Sequence, residues 1–200
     1  MISDSVTRPL SGLVLAGGRS RRMGTDKALL VNNGESQLAM AMRLLESVCD
    51  AAFVSTREEQ ADEPERARFA QIVDRYEDLG PIAGILSAMD ERPGDDWLVV
   101  ACDLPNLSPA TLQALVAARD DSAPMIAFRS SHNGLPEPLC AIYAAESKTL
   151  VRDFISQGIR CPRKMMINSD TRLIDQPEPD ALDNMNSPED LQRSKLEIAS

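Results

Sequence analysis

Apolar residues along the chain fall into short unbroken runs that alternate with stretches repeating every three to four positions. Residues 10 to 16 form a short apolar run ended by Gly17-Gly18, which predicts a buried strand feeding a tight loop. From Leu38 to Val48 the apolar positions recur at helical spacing, and Ala51-Ala52-Phe53-Val54 follows as a second strand. Residues 57 to 70 are dense in charge and read as a solvated helix or loop. Ile72-Val73 is a third short strand ending at Asp74. The Gly80-Pro81-Ile82-Ala83-Gly84 turn opens a helix to about Asp90, and Trp97-Leu98-Val99-Val100-Ala101-Cys102 is the clearest strand, ending at Asp103. Ser108-Pro109 supplies an N-cap and a first-turn proline for the next helix.

This alternation, with short connections through residue 118, predicts a three-layer α/β domain on a mostly parallel sheet. Such sheets bind ligands at the carboxyl ends of their strands. In the second half, Met125 to Phe128 and Leu139 to Tyr143 read as strands and residues 145 to 157 as a helix. Residues 158 to 184, rich in Pro, Asp and Arg, offer no assignable element. A last helix is expected after Ser187-Pro188-Glu189-Asp190, where a capping residue, a proline and two acids coincide. With 200 residues, 43% of them apolar, and no internal repeat, residues 1–200 are expected to form one domain.

Charge narrows the function classes. There are 31 acidic and 21 basic side chains, a net charge of −10. That balance excludes a nucleic-acid-binding module without a concentrated basic face and argues against an anionic membrane surface. No apolar run approaches the about 20 residues that span a bilayer. The run at Leu13-Val14-Leu15-Ala16 ends in glycines and is too short for a signal-peptide core. Cys49, Cys102, Cys140 and Cys161 form no Cys-x-x-Cys pair, so a cytoplasmic location with reduced thiols is expected.

Against that acidic background, Arg19, Arg21, Arg22 and Lys27 stand out because they crowd into one short segment. They follow Gly17-Gly18 directly after the first strand. Glycines there let the backbone turn and bring its N–H groups to a phosphate without a Cβ in the way. The P-loop pattern does not fit, since Gly24 is followed by Thr25-Asp26-Lys27, and the dinucleotide fingerprint does not fit, since Gly17 and Gly18 are adjacent. A nucleotide-phosphate loop is favoured over its plain alternative, a basic surface turn.

The segment Leu15-Ala16-Gly17-Gly18-Arg19-Ser20-Arg21-Arg22-Met23-Gly24-Thr25-Asp26-Lys27 resembles the signature of the molybdenum cofactor guanylyltransferases, the MobA-type branch of the nucleotidyltransferases. Further matches follow in order: Asp74, Gly80-Pro81-Ile82-Ala83-Gly84, Cys102-Asp103-Leu104-Pro105, Pro138-Leu139-Cys140-Ala141-Ile142-Tyr143, and Asn184-Met185-Asn186-Ser187-Pro188-Glu189-Asp190-Leu191. The resemblance implies a three-layer Rossmann-like nucleotidyltransferase fold that transfers GMP from GTP to the terminal phosphate of molybdopterin, with Mg²⁺. It implies nucleotide contacts at Leu15, Ala16, Gly17 and Gly18, phosphate contact at Lys27, guanosine contact at Asp74, and metal ligation by Asp103. Where the family often carries Asn after the second strand, this chain has Ser55. Asn184 and Asn186 are implied on the acceptor side. Handing over a labile cofactor further implies contact with a cofactor-synthesis enzyme or an apo-molybdoenzyme.

These residue types suit the chemistry. Nucleotidyl transfer joins oxygens that already carry negative charge, so catalysis rests on positioning and charge neutralisation rather than on a protein nucleophile. Lys27 and at least one of Arg19, Arg21 and Arg22, with Arg22 taken as the catalytic one, neutralise the triphosphate. Asp103 offers an oxygen ligand of the kind Mg²⁺ requires. The plain alternative for Asp103 is a turn or capping aspartate before Leu104-Pro105, and for Asp74 a strand-end turn residue. Asn184 and Asn186 have a similar alternative, shaping the turn before the last helix.

Other candidates carry less. His132, the one histidine, sits in a polar turn and is assigned no role. Cys102 and Cys140 read as small core residues, and Trp97 as core or strand edge. Glu137, between Pro136 and Pro138, departs from the simpler Pro-Leu form of many relatives; substrate contact and turn capping stay open for it. Two other functions remain on the table: a cytidylyl- or sugar-phosphate nucleotidyltransferase, and a non-catalytic nucleotide-binding carrier or regulator. Gly17-Gly18 resembles the guanylyl branch, since cytidylyl relatives tend to show Ala-Gly there.

Overall fold

The computed structural model describes residues 8–17, 26–32, 34–120, 122–185 and 197–198. In chain order the elements are β1 (Leu10–Leu15), β2 (Leu30–Asn32), β3 (Glu35–Ser36), α1 (Gln37–Glu46), β4 (Ala51–Thr56), β5 (Gln71–Val73), α2 (Pro81–Glu91), β6 (Asp96–Ala101), α3 (Pro109–Ala117), β7 (Met125–Arg129), β8 (Pro136–Tyr143), α4 (Ser147–Ser156), α5 (Pro162–Ile167), β9 (Thr171–Asp175) and β10 (Glu197–Ile198). Single 3-10 turns occur at Lys27–Leu29, Glu58–Gln60 and Arg66–Arg68.

Among the described residues, seven strands form one sheet in the order β5-β4-β1-β6-β8-β7-β9. The pairs β4–β5, β1–β4, β1–β6 and β7–β9 are parallel, while β8 is antiparallel to both of its neighbours. Thus β8 alone runs against the rest, and its first residues, Pro136 to Pro138, lie at the edge where the other strands end. A separate small sheet, β10-β2-β3, sits off the main one.

The period-two alternation of the strands divides the core into two layers. Val14, Val54, Leu98, Val100, Ile126 and Phe128 pack on one face with α1 and α3, through Leu38, Met42, Leu45, Leu112 and Leu115. Leu13, Trp97, Val99, Met125, Ala127 and Tyr143 pack on the other with α2, α4 and α5, through Ile82, Ile85, Met89, Val151, Phe154 and Met165. Helices therefore cover both faces, which is why β6 is buried at every position and reads as one apolar run. Each fully buried Leu, Val or Ile in these layers contributes about 1.5–3 kcal/mol relative to exposure. Trp97 is core and packs against Phe53, with ring centroids 5.8 Å apart.

Local signals set the helix starts. Ser36 caps α1 by accepting from Ala39 N, Ser108 caps α3 by accepting from Thr111 N, and Pro81, Pro109 and Pro162 occupy first-turn positions. The stretch 158–184, unassignable from sequence, contains α5 and β9. α5 has only six residues, too few for a periodic signal, and β9 is half-buried at the edge of the sheet. The helix expected after Ser187-Pro188-Glu189-Asp190 lies outside the described residues. Among the described residues, no helix is long and apolar enough to cross a membrane.

Candidate active site

The parallel strands β5, β4, β1 and β6 end side by side, and the residues just past their ends make the site. β1 delivers Leu15, Ala16 and Gly17. Ala16 N donates to Ser55 O at 3.2 Å and Cys102 N donates to Leu15 O at 3.4 Å, so the three exits are tied together by backbone bonds. Ser55, buried near the end of β4, donates its hydroxyl to Asp74 Oδ1 at 2.7 Å. Asp74 follows β5, and its N donates to Thr56 O at 2.8 Å. A Cβ built on Gly17 would lie 3.3 Å from Asp74 Oδ2, so the β1 exit runs alongside that carboxylate. Burial pushes the Asp74 carboxyl above its ordinary range, opposed by the Ser55 hydrogen bond and by the charge of Arg57.

α2 closes this end of the site. Its N-cap, Gly80, has φ +57°, a conformation costly for other residues, and Pro81 begins the helix. Gly84, one turn on, packs where a side chain has no room: a Cβ there would stand 2.3 Å from Ser55 Oγ and 2.9 Å from Leu15 Cδ2. The Gly80 to Gly84 motif thus lets the helix approach both Leu15 and the Ser55–Asp74 pair.

Lys27 and Asp103 meet on the other side of β1. Lys27 begins a 3-10 turn capped by Asp26, whose Oδ1 accepts from Ala28 N at 3.1 Å. Its Nζ lies 2.9 Å from Asp103 Oδ2, and both side chains are largely buried. Asp103 follows β6, and its carbonyl accepts from Met185 N at 3.1 Å. That bond brings the segment before the chain's C-terminal region to the site. Asn184, exposed, lines a pocket of about 70 Å³ with Leu104, Glu137, Leu139, Arg163 and Leu182. Glu137 accepts from Arg163 Nη2 at 2.9 Å, so the carboxylate left open by the sequence is an ion-pair member in that pocket.

Leu15, Ala16, Gly17, Ser55, Asp74, Lys27, Asp103 and Asn184 therefore share the carboxyl edge of the sheet. Gly18, Arg19, Arg21, Arg22 and Asn186 lie outside the described residues. Among the described residues, no group of three or more His, Cys, Asp or Glu could hold a metal by itself. Asp103 alone still fits Mg²⁺, which commonly takes one or two carboxylates and fills its other positions with water and substrate phosphate. Cys102 and Cys140 are poor nucleophiles, since burial pushes the Cys102 thiol up to about 12 and the Cys140 thiol higher as well. His132 is exposed and lies 2.6 Å from Asp183 Oδ1.

One expectation is corrected here. The charged stretch 57–70 is not solvated throughout: the Arg66 side chain is fully buried. Its Nη2 donates to Ala16 O at 2.8 Å and to Asp26 Oδ2 at 2.7 Å, and its Nη1 to Glu63 Oε2 at 3.1 Å. Composition hides such a residue, because a charge run describes the average of a segment and not its one inward position. The Glu63-x-x-Arg66 spacing signals only a local ion pair.

A doubly covered, mostly parallel sheet with its polar residues gathered past the strand ends defines an α/β protein of the nucleotide-handling kind. The chain belongs to the MobA-like NTP transferase domain family, whose model matches residues 12–170, and is a nucleotidyltransferase. It is 36% identical over 191 residues to a molybdenum cofactor biosynthesis bifunctional protein of Synechocystis, covering 94% of this chain and 54% of that one. It thus spans about half of that relative's length. It is 33% identical to a probable molybdenum cofactor guanylyltransferase of Nostoc, covering 91% of this chain and 88% of the relative. Among solved structures it is similar to molybdopterin-guanine dinucleotide biosynthesis protein A of Archaeoglobus fulgidus, with TM-score 0.76, 24% identity, and coverage of 92% of this chain and 96% of that one. At that identity the likeness shows the Rossmann-like α/β fold alone.

Proposed function

We propose that the chain transfers GMP from GTP to the terminal phosphate of molybdopterin, acting as one domain over residues 1–200. An oxygen of the acceptor phosphate attacks the α-phosphorus, the bond from that phosphorus to the bridging oxygen breaks, and pyrophosphate leaves with the electron pair. The observation that carries the reading is the Lys27–Asp103 pair at 2.9 Å beside the β1 exit, in a chain whose relatives include proteins named for this activity.

In this reading the backbone of Leu15, Ala16, Gly17 and Gly18 follows the nucleotide, and Ser55 holds Asp74 toward the guanosine. Lys27 swings from Asp103 to the phosphates as a point charge, with Arg22 as its partner from the loop. Asp103 would hold Mg²⁺, which when bound neutralises phosphate charge and favours in-line displacement. Asn184, in the pocket of the Glu137–Arg163 pair, and Asn186 serve the acceptor. A cytoplasmic location and contact with a cofactor-synthesis enzyme or an apo-molybdoenzyme belong to the same reading.

Pyrophosphate release, measured with GTP, CTP, UTP and ATP in turn, with molybdopterin and Mg²⁺, tests it. Release is expected with GTP and only when acceptor and metal are both present. Equal rates with CTP, or none with any nucleotide, overturn it.

A further inference from the structure

Arg66 is a fully buried cation two of whose side-chain bonds reach outside the segment around it. Only the bond to Glu63 is local. The other two reach Ala16 O and Asp26 Oδ2, the residues on either side of positions 17–25, the glycine-arginine loop. Asp26 is itself shared: Oδ2 takes Arg66, while Oδ1 caps the turn whose first residue is Lys27. A continuous set of bonds therefore runs from the β1 exit through Arg66 and Asp26 to the turn that aims Lys27 at Asp103.

Stability alone is a weak reason for this arrangement. Burying a guanidinium costs several kcal/mol, and a buried ion pair often only breaks even against apolar packing. Among the described residues Arg66 Nε also has no hydrogen-bond partner, which adds to the cost. What the arrangement supplies is geometry: a planar fork reaches a carbonyl and two carboxylates at once, where an ammonium would act as a single point. We propose that Arg66 is a positioning residue, a buried clamp that joins the two ends of the phosphate loop and sets the register of Lys27. The proposal deepens the functional reading above and rests on it for the identity of the nucleotide.

The full chain allows two independent readouts. Trypsin cleavage after Arg19, Arg21 and Arg22, which lie in sequence between the anchors Ala16 and Asp26, is a first readout that needs no nucleotide. Steady-state turnover with GTP, Mg²⁺ and molybdopterin separates KM from kcat. In Arg66→Met, cleavage at those sites is expected to accelerate about tenfold, and kcat/KM for GTP to fall by up to about 100-fold with a raised KM, the scale of misplacing a site by about an ångström. Arg66→Lys keeps the charge but not the fork and is expected to restore melting temperature more than it restores KM.

Arg119→Met is the control. Arg119 donates to Asp96 Oδ2 through Nε at 2.9 Å and Nη2 at 2.6 Å, a comparable ion pair at the opposite, amino end of β6. It is expected to lower stability while leaving loop cleavage and KM as in the wild type. If Arg66→Met does not fold, Asp26→Asn, which keeps a capping oxygen and removes the charge, takes its place with the same expectation. Wild-type cleavage and KM in these variants, or equal changes in Arg119→Met, overturn the proposal. If the wild-type protein does not turn over GTP, the functional reading fails, and the trypsin comparison still decides whether Arg66 clamps the loop.

Discussion

Lys27 Nζ and Asp103 Oδ2 stand 2.9 Å apart although 76 positions separate them in the chain. Each is largely shielded from water, so removing either takes an opposite charge from hydrogen-bond distance of a group that water screens poorly. Asp103→Asn and Lys27→Met are each expected to lower the rate of pyrophosphate release by about 100-fold or more, the scale seen when one electrostatic contact to a transition state is removed. The double variant should fall little below the worse single one, because the two side chains act as a unit. Single-turnover kinetics with GTP and molybdopterin would show this, and full additivity would separate their roles.

The Asp74 carboxyl titrates high because it is buried. A carboxyl whose folded pKa exceeds its unfolded value, about 3.9, makes the folded state bind more protons, so its contribution to stability falls as pH rises from the unfolded value through the folded one. Asp74→Asn removes that penalty and still offers an oxygen to Ser55. Its melting temperature relative to wild type is therefore expected to increase as pH rises from about 4 toward neutrality, while GTP affinity falls. Melting curves of both proteins across that range check the sign; a difference that shrinks with rising pH contradicts it.

Gly84 allows α2 to sit against Ser55 and Leu15. In Gly84→Ala the new Cβ meets Ser55 Oγ at 2.3 Å, and turning the hydroxyl away breaks its bond to Asp74. A loss of about 1–3 kcal/mol is expected from overpacking, with weaker GTP binding. Urea denaturation and GTP titration on the same sample measure the two effects.

Asn184 lies on the side of Asp103 away from Ser55 and Asp74, in the pocket with Arg163 and Glu137. Asn184→Ala is expected to raise KM for molybdopterin about tenfold and leave KM for GTP unchanged, a split read directly from initial rates. Because the side chain is exposed, thermal stability should stay within about 0.5 kcal/mol of wild type.

Strands β1, β4, β6, β7 and β8 and helices α1 to α4 were legible because each buries a regular face: period two or a continuous run for the strands, period 3.6 for the helices. Asp74 and Asp103 were legible as acids at strand ends, where a parallel sheet gathers its ligands, and the family resemblance, not position, set them and Leu15 apart from ordinary turn and strand residues. α5 and β9 were not, since six half-polar residues and a half-buried edge strand carry too little periodicity. Arg66 was hidden in a charged segment, and Glu137 gained its meaning only when the one reversed strand, β8, brought its first residues to the edge where the others end.

The sequence by itself determined the order of the main-sheet strands and of the helices as far as α4, the doubly covered sheet and the basic glycine loop that resembles a nucleotidyltransferase signature, because these depend on neighbours within a few residues. The tertiary structure decided which distant charges meet. Lys27 with Asp103, Ser55 with Asp74, Arg163 with Glu137, and Arg66 with both the Ala16 carbonyl and the Asp26 carboxylate are pairings of groups 19 to 76 positions apart. Their energies depend on burial and on a few tenths of an ångström, and neither quantity exists until the sheet and its two helix layers have closed around them.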